Sequence, residues 1–269
     1  MVALEPVRHP LLAGVALGAQ WVGTDEFPSC LEWADEHEAW LQFADRQGAL
    51  SRYLTRLKGP KERRDEAFSE IAVAYFYGVK CGLPILEWEP QGEAGKAGEF
   101  VVADGFGQGI FVEVKSPGWE DEIAKAEGQG SPRLLQPKYI HAEARSTGPW
   151  ASVRHAVRKA YPKMPATMPT LLVVKDDLMV SLHDWGRLVM DIALYAPKLP
   201  TSTSGYSAED GPFANRDYER LGGVVVFTVD LPAQGMRYRF SLFDNPYALE
   251  SVAVPRGFLP DYPRFTGSP

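Results

Sequence analysis

The chain has 269 residues, with 28 Lys and Arg against 35 Asp and Glu, a formal net charge of −7. At 45% hydrophobic and 23% charged residues it falls among ordinary globular proteins, which excludes fibrous and wholly disordered classes. No apolar run reaches the ~18–20 residues of a membrane-spanning helix, and the acidic balance excludes a surface coated in nucleic acid while leaving room for a local basic face.

Length alone allows one or two domains. Cys30 and Cys81 form no disulfide framework and have no metal-ligand spacing, so the expected compartment is the reducing cytoplasm. The apolar stretch 11–22 is diluted by glycines and preceded by Glu5, and is not read as a secretory signal.

In chain order, residues 27–58 carry Trp33, Trp40, Leu41, Phe43 and Leu50 at helical spacings, with Ser29 as a candidate cap. Gly59-Pro60 breaks that pattern. A second helix is predicted over 61–79, with Phe68, Ile71, Ala72, Tyr75 and Val79 on one side, closed at Cys81-Gly82. Three strands are predicted at 85–89, 99–103 and 110–115, separated by glycine-rich loops. Helical patterns resume at 119–127 and 136–162, then a strand at 170–175 and a helix near 184–195. Residues 197–220 form a long connection rich in Pro, Ser, Thr and Gly. Runs 224–230 and 237–243 read as a hairpin around 232–235. This order predicts an α/β fold with a mixed sheet flanked by helices. Residues 61–269 would form its core, and residues 1–60 a helical addition packed on that core within one domain.

The chemistry concentrates in the strand pair 99–103 and 110–115. Side chains alternate along a strand, so Glu113 and Lys115 share one face while Ile110, Val112 and Val114 share the other. A hairpin centred on Phe106 sets Glu99 directly opposite Glu113, with Cβ atoms ~4.5–5.5 Å apart. Two facing carboxylates repel unless something compensates them, and a hard divalent cation held by carboxylate oxygens is the natural compensator. Asp104 would lie in the turn, too far from Glu113 to share a metal. Upstream, Glu70 sits among apolar residues in 68–74, one helical turn after Glu66.

These residues resemble a family. The run Arg64-Asp65-Glu66-Ala67-Phe68-Ser69-Glu70, Gly82, then Ala97-Gly98-Glu99-Phe100 and Phe111-Val112-Glu113-Val114-Lys115 looks like the PD-(D/E)XK nuclease superfamily over 61–116, and extends plausibly to 175. The resemblance implies a restriction-endonuclease-like core of a helix, a three-strand meander, a helix and a further strand. It also implies that Glu99 and Glu113 bind Mg²⁺, with Mn²⁺ as a substitute. Lys115 would hold or orient the attacking water, with Glu70 assisting. The chain departs from the family pattern at Gly98-Glu99, where Pro-Asp is preferred.

A phosphate-binding face is expected in 131–163, where Arg133, Lys138, Arg145, Arg154, Arg158, Lys159 and Lys163 stand against the single acid Glu143. Lys138, His141 and Arg145 fall on one helical face, Arg154 and Arg158 on another. The combined expectation is a Mg²⁺-dependent endonuclease acting on DNA in the cytoplasm, with a homodimer as an admissible assembly. Three rivals stand beside it: a catalytically inactive nucleic-acid-binding protein of the same fold, an RNA-directed nuclease, and a scaffold whose 197–220 segment binds protein. A purely structural Glu–Lys–Glu salt bridge on the strand pair is the plainest alternative reading of the motif.

Overall fold

In a computed structural model the described residues are 7–18, 31–116, 149–175, 186–196, 210–230 and 236–267. Their centre is a seven-stranded mixed sheet with the strands in sequence order. The strands are β1 (Ile85–Trp88), β2 (Phe100–Ala103), β3 (Gly109–Lys115), β4 (Thr170–Lys175), β5 (Gly223–Asp230), β6 (Arg237–Asp244) and β7 (Arg264–Thr266). β1, β2 and β3 form an antiparallel meander, while β3, β4 and β5 run parallel. β6 returns antiparallel to β5, and β7 lies parallel to β6.

Two hydrophobic layers explain the sequence pattern of the central strands. β4 reads Thr-Leu-Leu-Val-Val-Lys and is buried throughout, as a strand covered on both faces must be. Leu171 and Val173 join one core, Leu172 and Val174 the other. The first core packs against α1 (Pro10–Gly18), α2 (Leu31–Arg46), α3 (Leu50–Leu57) and α4 (Lys61–Tyr75). The second packs against α5 (Pro149–Ala160) and α6 (Gly186–Leu194). The α/β expectation, a mixed sheet with helices on its faces, therefore holds, and the N-terminal helices share a core with the sheet.

Several elements differ from expectation in instructive ways. The helix expected over 27–58 divides into α2 and α3, because Gly48 takes the left-handed conformation at φ 68°. The helix 61–79 appears as α4 followed by a π-turn, Phe76–Lys80, which turns Phe76 and Tyr77 both into the core. Phe76 stacks on Phe240 at 5.6 Å and on Tyr238 at 5.8 Å. Helix α1 and strand β7 were not foreseen. The expected helix at 119–127, residues 136–148 of the next one, and the hairpin turn at 232–235 lie outside the described residues, as does 197–209 of the long connection.

His37 is buried on α2 against Trp33, Trp40 and Phe68, and its Nδ1 donates to the Trp33 carbonyl at 2.7 Å. Burial pushes its pKa down to about 3, against the upward pull of that hydrogen bond. The unfolded imidazole protonates near ~6.5. Below that pH the unfolded state binds a proton that the native state does not, so stability falls as pH falls from ~6.5 toward 3. Between pH 7.5 and 5 the expected loss from this one group is about 2 kcal/mol. Urea unfolding of wild type and His37→Leu at the two pH values checks this: the variant is expected to lose less stability over the same interval.

Candidate active site

The hairpin register is the one the alternation demands. Phe100 pairs with Val112, Val101 with Phe111, Val102 with Ile110 and Ala103 with Gly109. One step beyond β2, Glu99 donates its backbone N–H to the Val112 carbonyl at 3.1 Å, one residue out of the ladder register, which ends at Phe100–Val112; what joins the Glu99 and Glu113 side chains is Lys163. Asp104 organises the turn instead: its Oδ1 accepts from the amides of Phe106 and Gln108 at 2.8 and 2.9 Å. Ile110, Val112 and Val114 enter the core beneath α1–α4, whereas Phe111 enters the opposite one. Glu113 and Lys115 project on the Phe111 side. Gly98 is required here by close approach, since a Cβ would meet the Phe111 ring at 2.2 Å.

Glu113 has no solvent exposure. Its Oε1 accepts from Lys115 Nζ at 2.5 Å and lies 2.6 Å from Lys163 Nζ. Its Oε2 is buried and has no hydrogen-bond partner among the described residues. Lys163 Nζ also lies 3.9 Å from Glu99 Oε1. Glu70, on α4, is clamped by both terminal nitrogens of Arg56 from α3, at 2.7 and 2.5 Å. Glu66, one turn earlier, is exposed.

The electrostatics tie these groups together. Burial, followed by the charges of Glu70 and Glu113, drives the Glu99 carboxyl well above the usual carboxylate range, with Lys115 and Lys163 opposing. Burial disfavours the Lys115 ammonium, but Glu113, by charge and hydrogen bond, and then Glu99 and Glu70 outweigh it and raise the pKa. The Tyr53 phenol is pushed up by burial and by Glu70 and Glu99. Three acids (Glu70, Glu99, Glu113) and three cations (Arg56, Lys115, Lys163) thus interact as one cluster. Protonated or balanced by a cation, Glu99 can lie close to Glu113; ionised without compensation, the pair repels.

The cluster tests its own fit to a divalent ion. Among the described residues no group of three or more His, Cys, Asp or Glu side chains is arranged to hold a metal. Magnesium, however, keeps several waters and needs only one or two carboxylates. The buried, unsatisfied Oε2 of Glu113, with the Glu99 carboxyl in the same cluster disfavoured as a charge by burial and by its acidic neighbours, supplies a donor set of that kind.

Of the basic residues expected to bind phosphate, Arg158 and Lys159 are exposed on α5. Arg154 corrects the expectation. It is 3% exposed, and its Nε and Nη2 donate to the carbonyls of Ala193 and Ile192, both at 2.9 Å. Those are C-terminal carbonyls of α6 that have no partner within their own helix, so Arg154 is a helix cap buried between α5 and α6. Arg133, Lys138 and Arg145 lie outside the described residues.

Lys163 is the member that sequence reasoning missed, having been counted only as one more basic residue near α5. A short 3₁₀ turn, Tyr161–Lys163, carries it. Gly92 lets that turn approach: a Cβ there would lie 2.2 Å from the Lys163 carbonyl oxygen. Arg220 secures the other side, donating to the Met164 carbonyl at 3.0 Å with its guanidinium 4.7 Å from the Tyr161 ring centre. No spacing rule links residue 163 to 99 and 113; only the fold does.

Comparison with family models, with curated proteins and with solved structures returned no match. The geometry therefore carries the functional argument.

Two substitutions test this construction through stability. Gly92→Ala forces a methyl group into backbone and is expected to cost about 1–3 kcal/mol in urea unfolding. Arg56→Met leaves the buried Glu70 carboxylate without its partner and should cost about 2–3 kcal/mol, below the fully buried range because the Arg56 side chain is 33% exposed. Arg56→Met with Glu70→Gln should recover more than half of that loss, as expected for directly coupled residues.

Proposed function

We propose that the chain is a Mg²⁺-dependent nuclease that hydrolyses phosphodiester bonds in DNA as an endonuclease, on a restriction-endonuclease-like core. The observation that carries this reading is the buried Glu113 carboxylate, with one oxygen held by lysines and the other unsatisfied, and with Glu99 close enough for Lys163 to reach both. The order α4, β1–β2–β3, α5, β4 supports it, because it is the helix, meander, helix and strand that the resemblance implies.

Glu99 and Glu113 would hold the ion, with Mn²⁺ as a substitute for Mg²⁺. Bound there, the ion supplies Lewis-acid polarisation of a phosphoryl oxygen. The rest is work for the chain's own groups. Lys115, kept charged by Glu113, donates its ammonium protons to a non-bridging phosphate oxygen or orients the attacking water. Glu70, clamped by Arg56, adds negative potential that holds Lys115 protonated. Arg158 and Lys159 on the exposed face of α5 provide salt-dependent attraction for the backbone of the substrate. A cytoplasmic location and a homodimer belong to this proposal, as does RNA as the alternative substrate.

A second reading has its own observation. The Lys163 ammonium lies 2.6 Å from Glu113 and 3.9 Å from Glu99, so it neutralises the pair without any metal. A protein of this fold that binds nucleic acid without cutting it would have such a site.

The test is cleavage of supercoiled plasmid, single-stranded DNA and RNA in Mg²⁺, Mn²⁺ or EDTA, comparing wild type with Glu113→Gln and Lys115→Met. The proposal expects metal-dependent nicking of plasmid, reduced by about 10²–10³-fold in each variant. Salt-sensitive binding with no turnover would select the second reading. Cleavage that survives both substitutions would place the active site elsewhere.

A further inference from the structure

We propose that Lys163 is an internal competitor for the divalent cation: its ammonium bridges the Glu99–Glu113 pair and must be displaced before a metal can bind. The inference rests on the reading of Glu99 and Glu113 as the metal-holding pair, and adds to it a residue that sets how tightly the ion is held.

Each cation of the cluster has a different attachment. Arg56 is committed to Glu70 by a two-pronged contact and comes from α3, on the other side of the sheet from α5. Lys115 is two residues from Glu113 on the same strand, with a further bond to the Val114 carbonyl at 3.2 Å, and remains beside Glu113 whatever else binds. Lys163 alone among the described residues lies within 4 Å of both carboxylates, 2.6 Å from Glu113 Oε1 and 3.9 Å from Glu99 Oε1. It also shares Glu113 Oε1 with Lys115, so two ammonium groups crowd one oxygen. Like charges that close repel, which makes the Lys163 contact the more easily given up.

The backbone beneath Lys163 is held from two sides, while its ammonium is held by the two carboxylates alone among the described contacts. Gly92 and Arg220 hold the turn at 161–164 from two sides. The side chain is 21% exposed and has a flexible four-carbon stem. Displaced, its ammonium stays beside the pair and can take a phosphate oxygen as its new partner. A divalent ion entering while Lys163 keeps its contact would meet an ammonium on the same carboxylates in a buried site, where like charges that close are costly. A lysine whose ammonium stood clear of the carboxylates and only supported the fold would leave metal affinity unchanged when removed, or lower it. A competitor raises it.

Calorimetric titration of the full chain with Mn²⁺ after EDTA treatment separates these cases, with circular dichroism to confirm folding. Lys163→Met and Lys163→Gln are expected to bind Mn²⁺ roughly tenfold more tightly than wild type, because a unit positive charge beside the carboxylates is gone. Lys163→Arg should keep the wild-type affinity. Glu113→Gln should abolish binding in every background. Affinity equal to or below wild type in both neutral variants, with binding still dependent on Glu113, would overturn the competitor role and leave the metal pair standing. No binding by wild type or by any variant would overturn both.

Discussion

A carboxylate with no solvent exposure has to be answered by its surroundings, and the answer given to Glu113 organises this part of the molecule. Removing an ion of that size from water costs several kcal/mol even after the protein relaxes, so the partners must be close and well placed. Lys115 is supplied by the strand itself, two residues on and on the same face. Lys163 is brought from the far end of α5 by a turn that only a glycine at position 92 admits. Together they satisfy one oxygen and leave the other bare. Glu99, next to Phe100 at the start of β2, lies buried in the same cluster, and burial first, then the charges of Glu70 and Glu113, raise its pKa.

A rigid support makes such a cluster hold its shape. Glu113 sits on β3, where the antiparallel meander meets the parallel centre of the sheet, with β2 on one side and β4 on the other. Phe111, two residues earlier on the same face, is locked by the core beneath α5 and by the missing side chain of Gly98. On the opposite side of the sheet, α3 and α4 deliver Arg56 and Glu70 as a closed pair. The site therefore draws on both helical layers, and its charges act on one another across them. Functional side chains mounted on strands in this way hold their positions better than side chains on loops.

The hairpin was legible in the sequence because strand alternation and a glycine-rich turn admit few registers. Centring the turn on Phe106 was enough to give the pairing from Phe100–Val112 to Ala103–Gly109 and to send Asp104 into the turn. β4 and β5 were legible as unbroken apolar runs. What escaped notice depends on contacts between distant segments. Arg154 resembles any exposed arginine in a basic stretch, yet the unpaired carbonyls at the end of α6 draw it inside. Lys163 belongs to the same stretch, and only the closeness of Gly92 to its backbone reveals its place. The division between α2 and α3 rests on one left-handed glycine, Gly48, inside an otherwise continuous helical pattern. β7 has three residues and pairs with β6 alone, too short to give a periodic signal.

The central claim is that Glu99 and Glu113 together form a site for one divalent cation. The most direct measurement is an electron paramagnetic resonance titration of the full chain with Mn²⁺, which distinguishes bound from free ion, on wild type, Glu99→Gln and Glu113→Gln. The account predicts one bound Mn²⁺ per chain in the wild type and none in either variant. Mn²⁺ that stays free with the wild type, or stays bound in both variants, would contradict it.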